Sequence, residues 1–488
     1  MGDSPSSVTA CGGGAFPRQG GRLGYALRTK GCTFFRKAVL TVSKPIFHAQ
    51  DLTAGPVFST LILYALPMLV SMLFQQAYNL ADGWIAGTQI GATALGAVST
   101  CYPLTVFFIA IASGLSMGTS IYCSQRLGEK DICRVKSGIT TSFLYLVPLS
   151  LVILAVGELI CPWALVWLDV PPEATESTLQ YLRIYIAGMP FLFLYNLSTG
   201  ILNGLGNSKM PLVCLILSCL FNIVLDFVFI LVLPWEVAGL ALATLLAQMV
   251  SAAAAVWAVV RLYQSLEAPS GPRFDREALG AMLKLGIPSM IQHVFMSTGQ
   301  MAMQSLVNSY GLAVMAGYSI AFRINGLVIN SLMAVSNALS GYIAQNLGAK
   351  KYDRIRRGTV ISIQISYVFS IFIVLLLLWR GEQILALFIR PDDPLREEIL
   401  SAGMSFVRVV CPFYLMVCLK TVFDGALRGT GAMLPFLCST ISDVIVRLAV
   451  GGIFSQHWGL TGVWYVWPAA WFVGTGISVV SYMKLQKR

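Results

Sequence analysis

Twelve runs of apolar residues, each long enough to cross the roughly 30 Å hydrocarbon core of a bilayer as a helix, follow one another along the chain. They lie at about 57–86, 95–123, 138–160, 179–202, 211–233, 237–260, 279–305, 314–343, 358–379, 399–426, 434–454 and 460–483. In lipid every backbone N–H and C=O needs a partner inside the protein, so such runs fold as bundled helices and not as an open sheet. The chain therefore reads as an all-α polytopic membrane protein with twelve transmembrane helices. Its composition agrees. Of 488 residues, 56% are apolar and 11% charged, where a soluble domain carries about a quarter charged. Too few polar groups remain to cover a soluble surface, which excludes an ordinary soluble enzyme, a disordered chain and a secreted disulfide scaffold.

Where the basic residues fall sets the orientation. With the N-terminus inside, 25 of the 33 Lys+Arg lie in the inner segments, from Arg18 through Arg126, Lys130, Arg134, Lys350, Lys351, Arg354 and Arg428 to Arg488, and only Arg380, Arg390 and Arg396 lie in the outer loops. The positive-inside rule then expects both termini in the cytoplasm of a cell in whose plasma membrane the protein sits. The net charge of +11 is thereby a topology signal, and no nucleic-acid partner is expected. Membrane lipid surrounds the chain, and a monomer is expected. The stretch 1–54 is Gly/Ser-rich and basic without a continuous apolar core, so it reads as a disordered cytoplasmic tail and not as a signal peptide.

The second half repeats the first at an offset of about 220 residues. Pro67 meets Pro288, Gly91 meets Gly311, and Gln125-Arg126-Leu127-Gly128 meets Gln345-Asn346-Leu347-Gly348. Gly204-Leu205-Gly206 meets Gly429-Thr430-Gly431, each reaching a proline soon after, Pro211 and Pro435. Two homologous six-helix lobes follow, and because six is even they enter the membrane in the same sense, related by a pseudo-two-fold axis along the membrane normal. The expected division is an N-lobe over 55–262, an inter-lobe linker over 263–280 acting as a hinge, and a C-lobe over 281–488.

The motifs are more specific than the repeat. Tyr78-Asn79-Leu80-Ala81-Asp82 followed by Gly91 and Ala94-Leu95-Gly96-Ala97, then Gln125-Arg126-Leu127-Gly128-Glu129-Lys130-Asp131, Gly204-Leu205-Gly206-Asn207-Ser208-Lys209 and Asn222-x-x-x-Asp226, resemble in order and spacing the multidrug and toxic compound extrusion (MATE) transporters. The resemblance runs from about residue 56 to about residue 484. It implies a secondary antiporter that exports small organic, often cationic, compounds in exchange for H⁺ or Na⁺ by alternating access, with no cofactor. A flippase for lipid-linked precursors, from the same wider superfamily, is the alternative; it would be expected to carry more basic residues in its cavity, where Arg323 and Arg447 are the main candidates. No HExxH or GxxxxGK[ST] motif occurs, which argues against a zinc-dependent intramembrane enzyme and a nucleotide-driven pump.

A charge at bilayer depth costs about 2.5–3.5 kcal/mol or more, so each one needs a partner or a task. Asn222 and Asp226 share one face of the fifth run, Thr244 sits at a matching depth about 10 Å inside the outer face on the sixth, and Asp82 lies near the outer end of the first. Converging, the four would form an oxygen-rich nest for Na⁺ or a proton-binding carboxylate, and the resemblance carries the family's N-lobe cation site onto these same four positions. Gln75, Gln76, Tyr78, Asn79 and Gln292 are candidate cavity residues. Pro67 permits a kink in the first helix, which the resemblance links to cation exchange. In the C-lobe, Asp443 and Arg447 occupy the positions equivalent to Asn222 and Asp226, four apart, where an ion pair would neutralise both; Lys420 and Asp424 can pair in the same way.

Overall fold

From Val57 onward the apolar runs are helical. The computed structural model describes residues 48–486 apart from 86–91, 168–171, 234, 270 and 392, and within the helices the side chains of 79–85, 92–100, 102–103, 164, 167, 172–174, 231 and 236 also fall outside the description. The helices are α1 (Val57–Ile85), α2 (Ala92–Gly128), α3 (Ile132–Trp167), α4 (Pro172–Ala187), α5 (Met189–Gly204), α6 (Lys209–Phe227) and α7 (Glu236–Ser265). They continue with α8 (Arg276–Asn308), α9 (Leu312–Gly348), α10 (Tyr352–Ala386), α11 (Arg396–Val410), α12 (Tyr414–Gly429) and α13 (Met433–Gln486).

Breaks inside the spans reconcile thirteen helices with twelve crossings. Helices α4 and α5 meet at Gly188 with a bend of 44° and together make the fourth span. A 3₁₀ turn at Cys411–Phe413 joins α11 to α12 within the tenth. In α13 the eleventh and twelfth spans run into each other at Gly459, whose φ of 58° breaks the helix and suits a residue without Cβ. Among the described residues nine helical stretches are long and apolar enough to cross a membrane without a partner, α11 and α12 counting as one. Helix α8, with Lys284, Gln292, His293, Gln300 and Gln304 along it, is more polar because it packs on α2 and α13 in the bundle interior. The repeat is written in the backbone too. Lys130 and Lys350 both take left-handed φ, 60° and 56°, and Gly206 and Gly431 take 80° and 78°.

Small residues bring the lobes together at the basic end. A Cβ on Gly128 would collide with the Gln345 carbonyl and one on Gly348 with the Gln125 carbonyl, while Gly118 and Gly114 of α2 lie against the backbones of Met282 and Met290 of α8. These contacts run about 20 Å into the bundle, at 1.5 Å per residue from Gly128 to Gly114. They close the basic end between the lobes. Gly118→Val should therefore force α2 from α8 at a cost of about 1–3 kcal/mol. A thermal unfolding scan in detergent is expected to show a lower midpoint for it than for Gly280→Val, because a Cβ at Gly280 meets nothing within 4 Å.

Two connections differ from the sequence expectation. The segment 50–54, read as part of a disordered tail, is hydrogen-bonded throughout, and Leu52 is 2% exposed. The inter-lobe linker is shorter than 263–280, since α7 extends to Ser265 and α8 starts at Arg276. It is also docked, with Lys136 Nζ donating to the Ala268 carbonyl (2.8 Å), Ser137 Oγ to the Pro272 carbonyl (3.0 Å) and the Asp275 N–H to Thr141 Oγ1 (2.9 Å).

Candidate functional site

The sequence places Asn222 and Asp226 one turn apart, and α6 buries both, at 1% and 0% exposure. With the Asn222 amide oriented by its neighbours, its Nδ2 donates to Asp226 Oδ2 at 2.9 Å and its Oδ1 accepts the Thr244 backbone N–H at 3.2 Å. Helices α6 and α7 are thus joined at the site. Thr244 Oγ1 donates to the Leu240 carbonyl at 3.1 Å, so what its hydroxyl still offers is an oxygen lone pair. Just beyond Asp226 the helix widens into a π turn, Val228–Val232, a feature that recurs at functional sites. The ring of Phe229, within that turn, stacks on the ring of Trp235 with centroids 5.2 Å apart.

Asp82 and Asn79 lie on α1, but their side chains fall outside the described residues. Along the described part of α1, Gln75 is exposed and Gln76 and Tyr78 are half-buried. Pro67 stands inside a continuous helix, and Ser71 Oγ donates to its carbonyl at 2.8 Å. Gln292 is buried on α8, with Nε2 3.6 Å from Met296 Sδ.

The C-lobe positions carry their own counter-charges. Arg447 Nη2 donates to Asp443 Oδ2 at 2.8 Å, both buried, and the guanidinium lies 4.1 Å from the Trp467 ring centroid. One helix away Lys420 Nζ donates to Asp424 Oδ2 at 2.8 Å, and Asp424 Oδ1 also accepts the hydroxyls of Ser439 and Ser478. Arg428, counted from sequence among the inner loop residues, is instead 1% exposed and donates to Ser336 Oγ and Asn337 Oδ1, each at 3.0 Å. Its place at the end of an apolar run made it look like a loop residue. Its partners Ser336 and Asn337 stand 92 and 91 residues earlier, on α9, so no local signal marks its burial.

The MatE family model matches the chain twice, over residues 67–228 and 288–453, each match starting on the helix proline of its half. The chain belongs to the MATE family. Its relatives include the probable multidrug resistance protein YpnP of Bacillus subtilis, 29% identical over 417 residues, covering 85% of this chain and 92% of that protein. The multidrug export protein MepA of Staphylococcus aureus is 22% identical over 415 residues, covering 84% and 90%. Among solved structures, an outward-facing conformation of a multidrug resistance MATE family transporter of the MOP superfamily superimposes with a TM-score of 0.83 at 24% identity, covering 90% of this chain and 98% of that one. Like its family, this MATE protein is a multi-pass membrane transporter of the multidrug efflux class and not an enzyme.

Proposed function

We propose that the protein is a secondary active antiporter that exports small organic, often cationic, compounds in exchange for H⁺ or Na⁺ by alternating access, with its cation site in the N-lobe. Asp226 is the anionic ligand of that site, Asn222 and Thr244 supply neutral oxygens, and Asp82, a residue of α1, is assigned to it as the second carboxylate. The observation that carries this reading is the contrast between the repeats. Where the N-lobe sets an amide beside a carboxylate 2.9 Å away, the C-lobe sets a carboxylate beside a guanidinium at 2.8 Å. The first pair bears one negative charge and the second none. A buried carboxylate is stabilised by taking up a proton or a cation, and at the equivalent C-lobe place Arg447 is the cation held against Asp443.

All-oxygen ligands favour a hard cation such as Na⁺ over a transition metal. The flippase alternative needs basic groups free to meet a phosphate; of its two candidates, Arg447 faces Asp443 at 2.8 Å, while Arg323 on α9 is exposed. Efflux from proteoliposomes with a pH gradient and a Na⁺ gradient imposed separately tests the reading. One of the two gradients is expected to drive export; export driven by ATP without either would overturn it.

A further inference from the structure

Residues 50–55 cross the basic end from one lobe to the other. On the N-lobe side the Gln50 N–H donates to the Leu205 carbonyl at 2.9 Å, and the chain continues directly into α1. On the C-lobe side the turn between α9 and α10 grips the same segment. Leu52 N–H donates to Gln345 Oε1 (2.8 Å), Gln345 Nε2 to the Gln50 carbonyl (3.3 Å) and Asn346 Nδ2 to the Leu52 carbonyl (3.3 Å). Lys351 Nζ donates to the Thr53 carbonyl (2.9 Å) and Oγ1 (3.1 Å).

Arg354 completes the grip. Its guanidinium donates to the carbonyls of Gly55 (2.7 Å), Leu52 (3.2 Å) and Ala54 (3.2 Å), and its Nε to Asn346 Oδ1 (3.1 Å). Arg134, the repeat mate of Arg354, instead reaches Asp131 at 3.5 Å on an exposed surface. The linker before α8 docks in the mirrored sense, onto α3 of the N-lobe through Lys136, Ser137 and Thr141. Each lobe is thus preceded by a segment that lies on the other lobe, and the two are held by different residues.

We infer that residues 50–55 form a strap, fastened by Arg354 and Lys351, that holds the transporter shut at its basic end and must leave the α9–α10 turn before that end can open. The strap belongs covalently to the N-lobe and by hydrogen bonds to the C-lobe, so separating Gly128 from Gln345 and Gly348 from Gln125 stretches those bonds. Charge-assisted bonds from one guanidinium to four oxygens are stronger than neutral ones, and Lys cannot reproduce the fork. Arg354 is therefore a positioning residue for the closed state. The inference rests on the alternating-access reading above, although not on its coupling ion.

Hydrogen–deuterium exchange of the full-length protein in lipid nanodiscs tests it. In Arg354→Gln, amides of 124–131 and 344–351 are expected to exchange at least about tenfold faster than in wild type through local opening, with Arg354→Lys intermediate. Peptides of α6, α7 and α13, and every peptide of Arg134→Gln, should stay unchanged. If Arg354→Gln does not accumulate, Lys351→Gln carries the test, with an expected rise of about threefold at the same peptides. Unchanged exchange at the basic end, or a rise spread evenly over the whole protein, overturns the strap. Because no ion gradient enters the measurement, a normal strap response beside failed gradient-driven efflux would count against the antiporter reading alone.

Discussion

Asp226→Asn should reduce gradient-driven export to the level of protein-free liposomes while leaving the protein folded in the membrane. The substitution keeps the volume of a fully buried side chain and keeps an oxygen that can accept from Asn222 Nδ2, which lies 2.9 Å from Asp226 Oδ2. What it removes is the charge, and with it the difference in cation affinity between conformations on which coupling depends. Reconstituted efflux, read beside a size-exclusion profile of the same preparation, separates lost coupling from lost fold. Asp82→Asn is expected to behave likewise. A folded Asp226→Asn protein that exports at the wild-type rate would remove the site assignment.

Asp443→Asn should fail in the opposite way, as lost protein. Removing one partner of a buried pair leaves a charge without compensation and costs about 3–5 kcal/mol, a large share of the stability of any domain. Arg447, buried and stacked over Trp467, would be that charge. The double replacement Asp443→Leu with Arg447→Met removes both charges and is expected to recover most of the yield, because apolar residues of similar size often replace a buried pair without loss. Monodisperse protein recovered per cell, with its thermal midpoint, checks both variants. If Asp443→Asn accumulates normally and loses only transport, the pair acts in the cycle and not in the fold.

Much of this was legible in the sequence because the bilayer imposes few solutions. Runs near twenty apolar residues must be helices, and residues four apart must share a face, which is how both the Asn222–Asp226 and Asp443–Arg447 pairs could be read from spacing. The C-lobe ion pairs emerge at 2.8 Å in the structure. What the sequence hid depends on contacts between distant segments. Nothing local marks 50–54 as ordered, since its partners are Leu205, Gln345, Asn346, Lys351 and Arg354. The π turn after Asp226 has no signature in an all-apolar stretch, and Arg428 resembles a loop residue until Ser336 and Asn337 of α9 are brought beside it. Gly188 and Gly459 mark breaks only once the flanking helices are seen to bend or join there.

The claim that the N-lobe site couples ion to substrate is tested most directly by substrate binding to the purified protein while one ion at a time is varied. Coupling requires the ion and the substrate to favour opposite states of the N-lobe. For a proton-coupled cycle, substrate affinity should fall as pH is lowered through the range where the site takes up its proton, and Asp226→Asn should flatten that dependence. For a Na⁺-coupled cycle, Na⁺ should weaken binding at constant pH and ionic strength where K⁺ does not, and the same variant should abolish the difference. Substrate affinity indifferent to both ions, or an ion dependence that survives in Asp226→Asn, would contradict the account.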